Sequence, residues 1–565
     1  MRVAGKELGR ELVQARDLGV CSNSLFASAT VILRAPFETQ GKQVEPVADR
    51  AMSTTTSLPE TSSPPGWRTR GQCAGLAVAC LALLNFVYFL FSSGRVRTMD
   101  EVSAAFQAES LASHGTTAIP QAVDLRLFYG TFDRFGRPQS PYPPGQAVAL
   151  LPWYALGQFA ASHLPGVASE VRDIFSDFFL TDESAFFSAL AVALALLIFL
   201  RLRIAPKTSL MAAGILALAT PIAAYSGWLF SEPLATALLL AAAAVLFARP
   251  QGTAVSVAQA FGAGALLGAA AWVRPTHIIA VPVFLAALFV REREKGWRAA
   301  AALAAAAGAG VTLLLWRNAY LHGSPFEFGY PIAAEGGKAL NTFQTPLSTG
   351  LVGFLLSPGK SIFLYSPPIL LALIGLPRLW RRDRGLAFVA GAAPIVYLFF
   401  FSTYTQWEGG YCYGPRYLVP ALTLLGLGIG PALAQVQSGH EAASRNVRRF
   451  AIAVFAVGFL VQAAGMTTSF LEADVAGAYY DAQYNYRMGF SPIAMHIHLL
   501  AHYMTAEAAP IGRGFDKWWV FLSKAGVSTG TLLLFAGVVL ACVSASAWWV
   551  WSEYRRVTAA VELSK

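Results

Sequence analysis

The sequence predicts an all-α protein, a polytopic bundle of about 12 transmembrane helices whose long loops gather on one side. Three observations predict it. The 565 residues are 55% hydrophobic and only 13% charged, with a mean hydropathy of +0.50; a soluble chain of this length needs far more charge to cover its surface. The apolar residues fall in runs close to the roughly 20 residues a spanning helix requires. The basic residues fall in short clusters between those runs. That placement accounts for the net charge of +10 as loop charge at a membrane face, and no motif points to nucleic acid.

Residues 1–70 differ from all that follows. They are polar, carry Ser53-Thr54-Thr55-Thr56-Ser57 and Ser62-Ser63-Pro64-Pro65, and show no sustained periodicity, so a disordered cytoplasmic tail is expected. Nothing before Met52 looks foldable, which leaves Met1 and Met52 both open as the start. The first apolar run lies too far in for a cleavable signal peptide. The transmembrane domain is expected over 71–552 and a short cytoplasmic tail over 553–565.

Candidate spans lie near 72–92, 184–200, 208–226, 229–248, 256–273, 276–291, 298–316, 361–377, 386–403, 417–435, 450–469 and 529–550. Alternate loops collect Arg201, Arg203 and Lys207; Arg249; Arg291, Arg293, Lys295 and Arg298; Arg378, Arg381, Arg382 and Arg384; Arg445, Arg448 and Arg449; and Arg555 and Arg556. The face with these clusters is expected to be cytoplasmic, together with both termini. The apolar segment 145–163 would invert this alternation if it crossed, so it is expected to lie on the outer surface. Long outer loops then cover 94–183, 318–360 and 470–528.

The five cysteines, Cys21, Cys73, Cys80, Cys412 and Cys542, show no CxxC spacing, and no structural disulfide is expected. His496, His498 and His502 put two histidines on one helical face, but no acid completes a metal set.

Chemistry-bearing residues cluster in the outer loops. Asp100-Glu101 directly follow the first span; the plain reading is a helix cap at a favourable dipole end. Tyr142-Pro143-Pro144-Gly145-Gln146 precede the surface helix. Glu232, in Tyr225-Ser226-Gly227-Trp228-Leu229-Phe230-Ser231-Glu232-Pro233, sits at the end of an apolar helix, where an ionised carboxylate is costly unless paired or metal-bound. Arg274, before Pro275, and Arg416, in Trp407-Glu408-Gly409-Gly410-Tyr411-Cys412-Tyr413-Gly414-Pro415-Arg416-Tyr417, lie near headgroup depth. A guanidinium there suits a bidentate grip on phosphate, and snorkelling is the plain alternative. Carboxylates and phosphate-gripping arginines on one membrane face point to a reaction on a lipid-linked phosphate.

The pattern resembles the GT-C superfamily of membrane glycosyltransferases, and most of all bacterial relatives of the protein O-mannosyltransferase and aminoarabinose transferase group. Asp100-Glu101 match the acidic pair that opens the family's first outer loop, and Pro143-Pro144 its Pro-Pro segment. Tyr142 stands where the aminoarabinose enzymes carry a lysine. Phe326-Glu327-Phe328-Gly329-Tyr330, Ser357-Pro358-Gly359-Lys360, Phe490-Ser491-Pro492 and Asp516-Lys517-Trp518-Trp519 extend the resemblance over roughly 72–550.

It implies an inverting transfer of sugar from a polyprenyl-phosphate-linked donor to a glycan, lipid or protein acceptor at the outer face. Asp100, Glu101 and Glu232 are expected to be catalytic, Arg274 and Arg416 to bind the donor phosphate, and Tyr142, Tyr225, Trp228, Trp407 and Tyr417 to line the substrate site. No cofactor is required; a divalent metal on Asp100 and Glu232 is an option some members of the superfamily use. Two other readings stay open: a transporter or flippase of lipid-linked sugars, with a helix break at Arg274-Pro275, and a non-catalytic envelope-assembly subunit.

Overall fold

The computed structural model describes residues 70–163, 178–248, 253–329, 342–435, 441–473, 484–505 and 515–562. The expected tail over 1–70, Arg249 and Tyr330 therefore fall essentially outside the described residues. Apart from one two-stranded hairpin, Thr131–Phe132 against Pro138–Gln139, the regular structure among the described residues is helical. The principal helices are α1 (Arg70–Leu90), α2 (Met99–His114), α3 (Gly145–His163), α4 (Asp182–Arg201), α5 (Pro206–Ala219), α6 (Glu232–Phe247), α7 (Val257–Val273), α8 (Ala280–Glu292) and α9 (Trp297–His322). After them come α10 (Leu347–Leu356), α11 (Ile369–Arg382) and α12 (Arg384–Ser402). The remainder are the composite α13 (Arg416–Ala434), α14 (Glu441–Thr467), α15 (Pro492–Thr505), α16 (Trp518–Lys524) and α17 (Thr529–Glu562).

Eight helical stretches among these residues are long and apolar enough to cross a membrane: α1, α4, α8 together with the turn before it (Pro275–Glu292), α9, α12, α13, α14 and α17. Four shorter apolar helices, α5, α6, α7 and α10, accompany them. The protein is thus a multi-pass membrane protein; of the expected dozen crossings, eight fall on these long stretches, three on α5, α6 and α7, and one on α11, of 14 residues. Prolines account for several of the differences. The expected span 208–226 stops at Ala219 because Pro221 disfavours helical backbone at Thr220, which is extended. Pro233 stands in the first turn of α6, where its missing N–H costs nothing. The expected span 361–377 is split by Pro367-Pro368 into a single turn, Ile362–Tyr365, and α11. Helix α10 falls inside a segment expected to be loop.

Close backbone approach holds the bundle together. Helix α7 packs along α9 through glycines: a Cβ on Gly264 would stand 2.3 Å from the Leu303 carbonyl, and Gly268 meets Gly310 backbone to backbone. Helix α1 packs between α4 and α17.

The two ends of the bundle differ in chemistry. At one end the basic loops bind one another: Arg291 pairs with Asp383, and Arg382 donates to the Leu202 carbonyl (2.5 Å) and Arg201 to that of Ala248 (3.4 Å). At the other end α2 and α3 lie together. There Gly145, at the start of α3, abuts the Trp272 backbone, and Trp153 Nε1 donates to Asp182 at the start of α4 (2.9 Å). Helix α3 and the following α4 thus begin at the same end, and α3 is not among the eight spanning helices.

Candidate active site

Four chain segments converge at this second end. Thr98 opens α2 as a capping box: its hydroxyl accepts from the Glu101 N–H (3.3 Å), and the Glu101 carboxylate accepts from the Thr98 N–H (2.8 Å). The same carboxylate also takes the N–H groups of Arg97 (2.6 Å) and Leu229 (3.1 Å) and is fully buried. Glu101, expected to be catalytic, therefore has its oxygens committed to backbone, pinning the Trp228–Phe230 loop to α2. The acidic pair splits into one structural and one accessible member.

Asp100 is the accessible member. One of its oxygens accepts from the Tyr142 hydroxyl; the other accepts from Arg416 Nη2 (2.5 Å) and Arg274 Nη2 (3.0 Å). Burial alone would raise its pKa. The two guanidiniums and the tyrosine hydroxyl outweigh that and hold it at about 2.

Arg274 is the residue before Pro275, which keeps it extended at the end of α7; its Nε donates to Ser231 Oγ (2.7 Å). Arg416 follows a loop in which Gly409 (φ +86) and Gly414 (φ +70) take left-handed backbone. At Gly414 a Cβ would stand 2.5 Å from the Tyr365 ring, so no other residue fits. Arg416 Nε donates to Glu232 Oε1 (2.8 Å), and its guanidinium lies 4.0 Å from the Phe230 ring centroid. Glu232 is only 2% exposed, and its second oxygen has no hydrogen-bond partner among the described residues. The cluster is balanced, two guanidiniums against two carboxylates.

A cavity of about 220 Å³ opens over this cluster, lined by Asp100, Tyr142, Arg274, Arg416 and Tyr417 together with Arg97, Tyr129 and Tyr404. Asp100, Arg274, Arg416, Tyr142 and Tyr417 thus come together as the sequence suggested, with Glu232 directly behind the arginines. Three aromatic expectations need correction. Tyr225 is buried and donates to the Tyr413 carbonyl (3.1 Å); Trp228 packs on Phe470 with ring centroids 4.6 Å apart. Both form a wall behind Arg416 rather than the cavity surface. Trp407 is pressed over Gly353 and against Phe354. Large aromatics are as useful for packing as for contact with a ligand, and here the close-packed loops claim them.

The structure adds a second charged group. Arg97, 3% exposed, donates through Nη1 to Asp516 (2.5 Å) and Ser469 (3.2 Å), while its Nε and Nη2 have no partner among the described residues. Arg95 also reaches Asp516 (3.4 Å). Lys517 Nζ donates to the carbonyls of Phe91 (2.9 Å), Asp516 (3.0 Å) and Met466. Burial pushes the Lys517 ammonium down, and Asp516 restores only part of this, leaving it at about 8. Three cations thus gather around the Asp516 carboxylate, and Arg97 is the one that lines the cavity. The pairing of Arg97 with Asp516 links residues 419 apart in the chain, and no local pattern marks it; only the Asp516-Lys517 motif hinted at the region.

The histidine triplet separates. His496 is buried, bonded to Thr468 (3.0 Å), and packed against the Tyr413 ring, while His498 and His502 are exposed. Cys412 receives the buried Lys360 ammonium at its carbonyl (3.1 Å) and sulfur (3.3 Å). Among the described residues no group of three His, Cys, Asp or Glu is placed to hold a metal.

No protein-family model matches the chain, and no curated protein matches it. Among solved structures it is similar to ArnT from Cupriavidus metallidurans bound to undecaprenyl phosphate, with 17% identity and a TM-score of 0.43 over 86% of this chain and 76% of that one. The apo state of the same ArnT gives 18% and 0.42 over the same shares. An oligosaccharyltransferase from Archaeoglobus fulgidus tethered to an acceptor peptide gives 12% and 0.45 over 73% of this chain and 57% of that one.

Proposed function

We propose that the chain is a membrane glycosyltransferase that moves a sugar from a polyprenyl-phosphate-linked donor to a glycan, lipid or protein acceptor at the outer face, with inversion. One observation carries the reading: Asp100, Arg274 and Arg416 meet at a single cavity, with Glu232 behind them, at the end of the bundle opposite the basic loops. A transporter needs its binding groups along a passage near mid-depth; here they sit together at one end.

In this reaction the acceptor oxygen attacks the anomeric carbon from the face opposite the donor phosphate. The bond from that carbon to the phosphate oxygen breaks, and the electron pair leaves with the polyprenyl phosphate. Asp100 orients the acceptor hydroxyl and takes its proton. A carboxylate at about pKa 2 is a weak base, and the donor itself corrects this. Its phosphate competes for the Arg274 and Arg416 donors, which loosens their hold on Asp100 and raises its basicity toward the ordinary carboxylate range. Arg97, with two donors unpartnered among the described residues, takes the remaining phosphate charge. A divalent ion on Asp100 and Glu232 would contend with these guanidiniums for Asp100 Oδ2 and Glu232 Oε1, and we assign the charge-stabilising role to the arginines. Tyr142, Tyr129, Tyr404 and Tyr417 offer ring faces and hydroxyls to the sugar.

The test is transfer from a polyprenyl-phosphate sugar in membranes containing the wild type, Asp100→Asn or Arg97→Gln. Asp100→Asn is expected to lose about 10²–10⁴-fold in rate, and Arg97→Gln to lose rate by weaker stabilisation of the leaving phosphate. Wild-type rates in both variants at normal expression would sink the assignment.

A further inference from the structure

At the basic end of the bundle, far from Asp100, a groove runs between α5 and α14. We propose that it is a binding site for one anionic glycerophospholipid of the leaflet on that side, with the headgroup phosphate on Lys207 and Arg448 and an acyl chain between the helices.

The groove encloses about 670 Å³, and its walls are mostly apolar, with Met211, Gly214 and Leu218 on α5 and Phe455 on α14. Its shape follows from how the helices meet. They touch where Gly458 faces Ala219, a Cβ on Gly458 falling 2.5 Å from the Ala219 carbonyl, and the space between them opens from that crossing toward Lys207 and Arg448. The 11 helical steps from Lys207 to Leu218 cover about 16 Å, close to half of a roughly 30 Å hydrocarbon core. The groove is therefore one leaflet deep. Its floor at Gly214 is open, since a Cβ there would meet nothing within 4 Å.

Charge selects the occupant. Lys207 and Arg448 both line the mouth, and neither has a hydrogen-bond or ion-pair partner among the described residues; no acid is among the lining side chains. Two adjacent cations above an apolar slot complement one phosphate with net negative charge. The slot suits a single-leaflet acyl chain, whereas a polyprenyl chain is far longer than the groove. The inference does not depend on the transferase reading.

The probes are phosphatidylglycerol and phosphatidylcholine added to the detergent-purified protein, with bound lipid counted by native mass spectrometry and Tm followed in parallel. Phosphatidylglycerol is expected to remain bound preferentially and to raise Tm. Each cation removed should weaken that preference about fivefold, and Lys207→Gln with Arg448→Gln together about 30-fold. Gly214→Phe, which fills open space, should expel both lipids while leaving the Tm of the delipidated protein unchanged. Equal retention of the two lipids, or an undiminished preference in the double variant, would overturn the proposal; so would lipid retention unaffected by Gly214→Phe, the behaviour of an exchanging annular shell. The phosphatidylglycerol preference of Asp100→Asn should match that of the wild type, which separates this result from the transfer assay.

Discussion

Arg416 stands where two carboxylates would otherwise face each other, bonded to Glu232 at 2.8 Å and to Asp100 at 2.5 Å. Removing one partner of a buried ion pair costs more than the pair itself contributes, because the remaining charge keeps its desolvation penalty. Arg416→Ala should therefore destabilise the fold by about 3–5 kcal/mol, read as a fall in Tm of the purified protein. Adding Glu232→Gln should recover a good part of that loss while leaving transfer abolished. A double variant no more stable than Arg416→Ala would refute the assigned electrostatic role of Glu232. Asp100, Glu232, Arg274 and Arg416 were legible in the sequence because a charge at the end of an apolar run must be explained. Arg97 was not, because its partner Asp516 lies in the last loop and only the fold brings the two together. Tyr225, Trp228 and Trp407 were misread for the opposite reason: their motifs are in the right loops, but residue type does not say which side of a loop faces the cavity.

Helix α2 shows how one element divides adjacent residues between structure and chemistry. Its capping box fixes Glu101 inward, and the preceding position on the turn, Asp100, then faces the cavity. Glu101→Gln replaces an acceptor of three backbone N–H groups by an amide that keeps one acceptor oxygen. It should lower Tm and expression together with activity, whereas Asp100→Asn, whose side chain is partly open to the cavity, should remove activity with a smaller fall in Tm than Arg416→Ala. Thr98→Ala, which deletes one half of the box, should cost about 1 kcal/mol. A Glu101→Gln protein of normal Tm that lacks activity would return Glu101 to the catalytic set. Elements were legible to the extent that they obey the period of apolar runs. The proline breaks at Pro221 and Pro367-Pro368 shorten helices in ways a hydropathy run overlooks, and α10, of 10 residues, falls below the length that marks a span. Those shortened helices are functional in their consequence: α6, about 24 Å long, begins at Glu232 inside protein, so the carboxylate is held below the surface by its arginines and not by lipid.

At the scale of the whole molecule, the alternation of basic loops separated two faces before any contact was known. The structure gives that separation a physical form, with Arg291–Asp383 and the Arg382–Leu202 bond at one end and the Asp100 cavity at the other. Cytoplasmic loops carry excess Lys and Arg, and on that ground we propose that the basic end faces the cytoplasm and the cavity the outer side, where the proposed lipid-linked sugar would enter from the outer leaflet. Ser113, exposed near the end of α2, and Arg381, exposed at the end of α11, report on the two ends. In intact cells an impermeant thiol reagent should label Ser113→Cys and spare Arg381→Cys until the membrane is opened, with the parent protein as the control for its own cysteines. The reverse pattern would place the cavity on the cytoplasmic side, and the donor would then have to be one presented in the inner leaflet. The geometry of Asp100, Arg274 and Arg416 would survive that result; the route by which substrate reaches them would not.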